Sequence, residues 1–185
     1  MKNILIIGAA RSGKSTLAKM IHKRFGHSLI SVDSFITAFQ SRYPEIGFAH
    51  HSSKNYLISA FVESYVDSII YNYPEINFVV EGYHIKPDAA VKYFSDKNFE
   101  IIVLGYPQLT AEEAYDNTKK YENKFDYTAA INKEDMLSLL ERHIKYAKLC
   151  QEQCTELGIP FYDTSYNRNE IFASVIKHLE TISND

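Results

Sequence analysis

Four residues near the start of the chain restrict it most. Gly8, Gly13, Lys14 and Ser15 stand in the run Ile-Leu-Ile-Ile-Gly8-Ala9-Ala10-Arg11-Ser12-Gly13-Lys14-Ser15-Thr16, with the spacing G-x-x-x-x-G-K-[ST]. The two glycines let the backbone turn tightly and approach a ligand without Cβ clashes. Successive N–H groups of residues 8–16, with the start of the helix that must follow, form a nest for phosphate oxygens. Lys14 then sets a point charge on the β- and γ-phosphates of a nucleotide, and the Ser15 hydroxyl is a ligand for Mg²⁺. Arg11, inside the loop, either shields phosphates, stacks on a base or is simply exposed.

A loop of this kind needs a strand before it and a helix after it, and the rest of the chain repeats that alternation. Apolar runs at 3–7, 28–32, 76–80, 101–104 and 159–162 read as five short strands. Between them, apolar residues at helical spacing predict helices over 14–25, 34–43, 55–71, 87–94, a dozen residues after Thr110, 133–157 and 169–179. Thr110 and Glu113 have the spacing of a capping box. Residues 44–54 and 123–132 lack a period and read as loops, the first exposed, the second mobile. Strands joined through helices make right-handed βαβ crossovers, hence an α/β fold with a parallel sheet between helical layers.

With 185 residues, a single domain over 1–185 is expected. A net charge of −3 gives no electrostatic case for gripping duplex nucleic acid. No apolar run approaches the length of a membrane span, and the first strand starts too early for a leader peptide. A cytoplasmic protein is expected. Cys150 and Cys154, four apart in a predicted helix, read as reduced core fillers rather than redox or metal groups. No C-x-x-C or H-E-x-x-H spacing points to structural zinc.

Ligands of open parallel sheets bind at the carboxyl ends of the strands, so the polar residues there carry the chemistry: Asp33, Glu81, Tyr106 and Asp163 beside the glycine loop. Asp33 either caps the following helix or accepts a proton from a substrate hydroxyl, with Ser34 capping instead. Glu81 follows a strand with little other reason to end in an acid. It holds Mg²⁺ through water or orients the attacking group; otherwise it is a strand-end turn residue.

The order of the glycine loop, Val-Asp33-Ser, Val-Val-Glu81-Gly82, Val-Leu-Gly-Tyr-Pro107 and Phe-Tyr-Asp163-Thr-Ser resembles the small P-loop kinases: nucleoside- and nucleotide-monophosphate-kinase-like proteins and the related polynucleotide-kinase-like and uridine-kinase-like groups. The resemblance runs over nearly the whole chain, but its one specific motif is the loop. It implies a five-stranded sheet of order 2-3-1-4-5, ATP with Mg²⁺, and transfer of a phosphoryl group to a hydroxyl or phosphate on a small molecule. By resemblance Asp33 matches the acid that contacts or deprotonates the acceptor, and Glu81 a metal- or substrate-side acid. The turn 163–168, with Arg168, matches the place of the adenine ring, and residues 106–133 the lid.

The lid departs from that pattern. No arginine occurs between Tyr43 and Glu141. Lys119, Lys120, Lys124 and Lys133 occupy the lid, and lysine is a point charge, not a bidentate fork. Arg142, with His143 at the start of the next stretch, is either the clamp on the transferred group or a solvated helix residue. Arg42 and the pair His50-His51 are further substrate-side candidates. A nucleoside or nucleotide kinase proper is a rival reading, and a nucleotide-driven switch another. Asn123-Lys124-Phe125-Asp126 does spell the guanine-reading N-K-x-D, but in a polar stretch rather than after an apolar strand.

Overall fold

The computed structural model describes residues 2–50, 52–122 and 126–183. Strand β1 (Asn3–Gly8) is buried from end to end because it lies between β3 (Phe78–Glu81) and β4 (Phe99–Gly105), with β2 (Ser28–Ser31) and β5 (Phe161–Asp163) outside them. The order is 2-3-1-4-5, and all four pairings are parallel.

The alternation of side chains along β1 divides the core. Leu5 and Ile7 face one layer, where α2 (Val32–Arg42), α3 (Ile58–Asn72), α4 (Pro87–Phe94) and α6 (Lys133–Leu157) contribute Ile36, Val62, Phe94 and Cys150. Ile4 and Ile6 face the other, filled by Leu17 and Ile21 of α1 (Lys14–Phe25) and by Phe172 and Val175 of α7 (Arg168–Ser183). Each of the aliphatic and phenyl side chains among these contributes about 1.5–3 kcal/mol by leaving water. A third cluster joins Ala114 of α5 (Ala111–Tyr121) to Met136 and Leu140 of α6 beside Tyr106.

Local signals set the helix ends. The capping box at Thr110 and Glu113 is formed in both directions, Asn132 caps α6 at Asp135 N, and Gly158 closes it at φ +66°. Cys150 and Cys154 are free thiols packed in the core. Burial pushes both up, Cys154 to about 12. None of the described helices is long and apolar enough to cross a membrane.

Three expectations change. The second strand ends at Ser31, so Asp33 lies in the first turn of α2 rather than at a strand end. The N-cap position is Ser31, so neither Asp33 nor Ser34 occupies it. Residues 44–54 are not simply an exposed loop. They contain short 3₁₀ turns, and Phe48 is buried against Phe39 because α2 leaves an apolar face there.

Candidate functional site

The glycine loop connects β1 to α1. A Cβ on Gly8, at φ +120°, would fall 2.0 Å from Leu104 O, so the chain leaves β1 flush against β4 only because no side chain is there. Arg11 adopts φ +65°, in the left-handed region that non-glycine residues rarely enter. Gly13 precedes α1, and a Cβ on it would meet the Phe172 ring at 2.5 Å. Leu17 N donates to Gly13 O at 3.0 Å, so the N–H groups of Lys14, Ser15 and Thr16 before it have no partner within the helix.

Lys14 is 6 % exposed and its Nζ donates to Ala9 O at 2.7 Å, closing the side chain back across the loop. Burial lowers its pKa, while the negative charges of Glu81 and Asp33 act in the opposite direction. The Ser15 hydroxyl donates to Glu81 Oε2 at 3.1 Å. Glu81 is itself buried at the end of β3, opposite Ile6 of β1. A strand-end carboxylate, a hydroxyl and an ammonium group are thus brought together by one sheet pairing. The hard oxygens of Ser15 and Glu81 fit Mg²⁺, which takes few protein ligands and keeps water and phosphate as the rest. Among the described residues no cluster of three or more His, Cys, Asp or Glu could form an all-protein metal cage.

The loop is braced from outside. Tyr106 donates its hydroxyl to Ala10 O at 2.8 Å. Thr164 Oγ1 donates to Gly105 O at 2.9 Å and lies 3.3 Å from Ser12 O. Asp163 is engaged locally, accepting from Ser165 N at 2.9 Å and from Ser165 Oγ at 2.5 Å. The Arg11 guanidinium forms an ion pair with Asp126 at 3.1 Å.

A cavity of about 410 Å³ opens over the loop, within the range of small-ligand sites. Lys14, Ser15, Thr16, Asp33, Glu81 and Arg168 all line it. On its wall the Arg168 guanidinium lies 3.9 Å over the Tyr121 ring. Asp33 also lines a second, open groove of about 500 Å³ along α2, with Ser34, Thr37, Ser41 and Arg42. Asp33 therefore stands on the wall between the two.

The remaining candidates lie outside this group. Arg142 is exposed on α6 and does not line the cavity. His50 is exposed and touches Thr37 Oγ1 at 3.0 Å. His51, Lys124 and the Asn123-Lys124-Phe125 part of the N-K-x-D match lie outside the described residues. Sequence reasoning misses Tyr83, His84, Asn117 and Tyr121. Tyr83, Asn117 and Tyr121 line the cavity, and His84 has its Nε2 3.8 Å from Asp33 Oδ1. Tyr83-His84 directly follows Glu81-Gly82, which is the one signal that points to those two. Tyr121 carries none beyond helical spacing.

No family model and no curated protein matches the chain in sequence. Solved structures do match in fold. A sugar kinase from Janibacter sp. HTCC2649 superposes with a TM-score of 0.63 at 14 % identity, over 97 % of this chain and 95 % of that one. A shikimate kinase from Bacteroides thetaiotaomicron gives 0.60 at 11 % identity, over 97 % and 98 %. A gluconokinase from Sinorhizobium meliloti 1021 gives 0.59 at 16 % identity, over 98 % and 97 %. The chain has the fold of the small P-loop kinases. These three, each matched over nearly its whole length, are a sugar kinase, a shikimate kinase and a gluconokinase.

Proposed function

We propose that this chain is an ATP- and Mg²⁺-dependent phosphotransferase that moves the γ-phosphoryl group to a hydroxyl of a small acceptor. The observation that carries this reading is the position of Asp33 on the wall shared by the loop cavity and the α2 groove, facing the Lys14–Ser15–Glu81 group. A donor on one side and an acceptor on the other would meet at that carboxylate.

In this reading, the loop amides and Lys14 bind the β- and γ-phosphates, and Arg168 with Tyr121 holds the base. Mg²⁺, when bound with the nucleotide by Ser15 and Glu81, supplies neutralisation of charge on the phosphate oxygens. Asp33 accepts the proton of the acceptor hydroxyl as its oxygen bonds to phosphorus, the bond to the bridging oxygen breaks, and ADP leaves. Positioning and charge stabilisation do most of the work, since no covalent intermediate is needed.

A hydroxyl acceptor is favoured over a phosphate. The α2 groove offers the hydroxyls of Ser34, Thr37 and Ser41 and a single cation, Arg42, among its lining residues. Its shared wall is an acid, which would repel a phosphomonoester. The similar structures, a sugar kinase, a shikimate kinase and a gluconokinase, support a small-molecule acceptor. The test is ADP release with ATP·Mg²⁺ across sugars, sugar acids, cyclic hydroxy acids, nucleosides and nucleotides. Lys14→Ala serves as the inactive control. Turnover on a hydroxyl compound that vanishes in Lys14→Ala supports the reading, and turnover confined to nucleoside monophosphates overturns the choice of acceptor.

A further inference from the structure

We propose that His84 is the positioning residue for Asp33, its tautomer fixed by Asn55; this rests on the reading of Asp33 as the acceptor-side base. Asn55 is buried, 7 % exposed. Its Nδ2 lies 2.7 Å from Ala49 O, a group that can only accept, which assigns nitrogen to that end of the amide. The second hydrogen of the same nitrogen reaches His84 Nδ1 at 3.1 Å. Nδ1 must then present its lone pair, so neutral His84 carries its hydrogen on Nε2.

His84 Nε2 faces Asp33 Oδ1 at 3.8 Å, and the His84 side chain is only 8 % exposed. Asp33 Oδ1 is enclosed and makes no hydrogen bond among the described residues, whereas the Asp33 side chain as a whole is 45 % exposed. One carboxylate oxygen is thus directed toward an N–H donor in the interior, which leaves Oδ2 for the acceptor. The separation exceeds a hydrogen bond, as is common before substrate tightens a site. The backbone of the same residue is tethered separately. Thr37 Oγ1 donates to Asp33 O at 2.9 Å, which uses its one hydrogen, so His50 Nε2 must donate to Thr37 Oγ1 at 3.0 Å. His84 also lies edge-on to Tyr83, with ring centroids 5.2 Å apart.

The chain Asn55–His84–Asp33 has the form of a base held by an orienter whose own proton is placed by a third group. His84 does not line the cavity over the loop; in the proposed role it acts through Asp33. A positioning role predicts that loss of the Nε2 donor affects turnover and not nucleotide binding, and that the loss depends on Asp33 being present.

Two measurements on the full chain decide it. Imidazole nitrogen NMR of the wild type near neutral pH should show His84 with Nε2 protonated and Nδ1 bare, and Asp33→Asn should shift the Nε2 signal. An Nδ1–H tautomer, or an Nε2 signal indifferent to Asp33→Asn, overturns the proposal whatever the acceptor is. In steady-state assays, His84→Leu should lower kcat roughly 10- to 100-fold with the KM for ATP within about twofold. His84→Gln, whose amide nitrogen can occupy the place of Nε2, should recover most of that loss. Added to Asp33→Asn, His84→Leu should cost nothing more. Equal losses with and without Asp33, or a Gln variant no better than Leu despite equal thermal stability, overturn it. Failure of every acceptor in the panel would sink the kinase reading alone, since the NMR arm needs no turnover.

Discussion

Arg11 Nη1 lies 3.1 Å from Asp126 Oδ2, an ion pair that ties the phosphate-binding loop to the segment just before α6 across 115 residues of sequence. The pair is four-fifths enclosed on each side, and it holds Arg11 at φ +65°. A left-handed arginine costs on the order of 1 kcal/mol, and a partly exposed ion pair returns about as much. Arg11→Gly removes both together. We expect its melting temperature to stay within about 4 °C of wild type, because 1 kcal/mol corresponds to about 2–4 °C in a chain of this size. Nucleotide affinity should nonetheless fall about fivefold or more as a cation leaves the loop. Calorimetric melting and titration with a fluorescent ATP analogue check the two halves.

Gly82 follows Glu81 and packs against the first turn of α2. A Cβ there would lie 2.5 Å from Val32 Cβ and 2.9 Å from Val32 Cγ2. Backbone on both sides is fixed, since Gly82 N donates to Ile6 O at 3.1 Å and Val32 is fully buried. Gly82→Ala must therefore displace α2, and with it Asp33, one residue on. Overpacking of this kind costs about 1–3 kcal/mol. The expected result is a lower urea midpoint with an unchanged m-value, together with a fall in kcat of roughly tenfold or more. A KM for ATP that stays near wild type would separate this displacement from damage to the loop.

The fold is legible in the sequence because its signals are local and redundant. Five apolar strands punctuated by polar ends, with helices between, leave one family of topologies, and Gly8 to Ser15 anchors the chain's direction within it. The differences lie where tertiary contact outweighs pattern. Val32 reads as the end of a strand by its β-branched side chain, yet helix packing against Gly82 places it in α2. Asp33 and Glu81 stand out because an acid after an apolar run is visible in sequence. Asn55 and His84 do not, because 29 residues separate them and only the approach of the loop before α3 to the end of β3 brings them together.

Tyr121 is equally silent, one aromatic among 14 tyrosines. Its ring lies under the Arg168 guanidinium at 3.9 Å, and Phe172 supports the same group from 5.8 Å. A cation over an aromatic ring at a partly exposed site is worth about 0.5–1 kcal/mol. In the proposed reading this stacked pair forms one wall for the base. Tyr121→Ala should raise the KM for ATP about three- to fivefold and leave kcat within about twofold. Arg168→Lys should resemble it, since an ammonium keeps the charge but loses the flat face. Equal effects on binding of the triphosphate tail, measured with inorganic triphosphate, would place the pair at the phosphates instead.

His143 makes the last expectation one of stability rather than turnover. It is 7 % exposed on α6, its Nδ1 makes no hydrogen bond among the described residues, and burial, with the charges of Lys14, Arg142 and Arg11, holds its pKa down at about 4. His27, buried beside Lys2 O, is depressed in the same direction by its own burial. In the unfolded chain both imidazoles take up a proton near pH 6.5. Above that pH neither state binds the proton and their contribution is flat. Below it the unfolded state binds more protons than the folded one, so stability falls with pH. For His143 the decline spans about pH 6.5 down to about 4, with a slope of at most ~1.4 kcal/mol per pH unit. Chemical denaturation across that interval should show the decline, and His143→Leu should flatten part of it while His27 preserves the remainder. A wild-type midpoint that holds constant down to pH 4 would mean that neither imidazole is kept neutral by the fold.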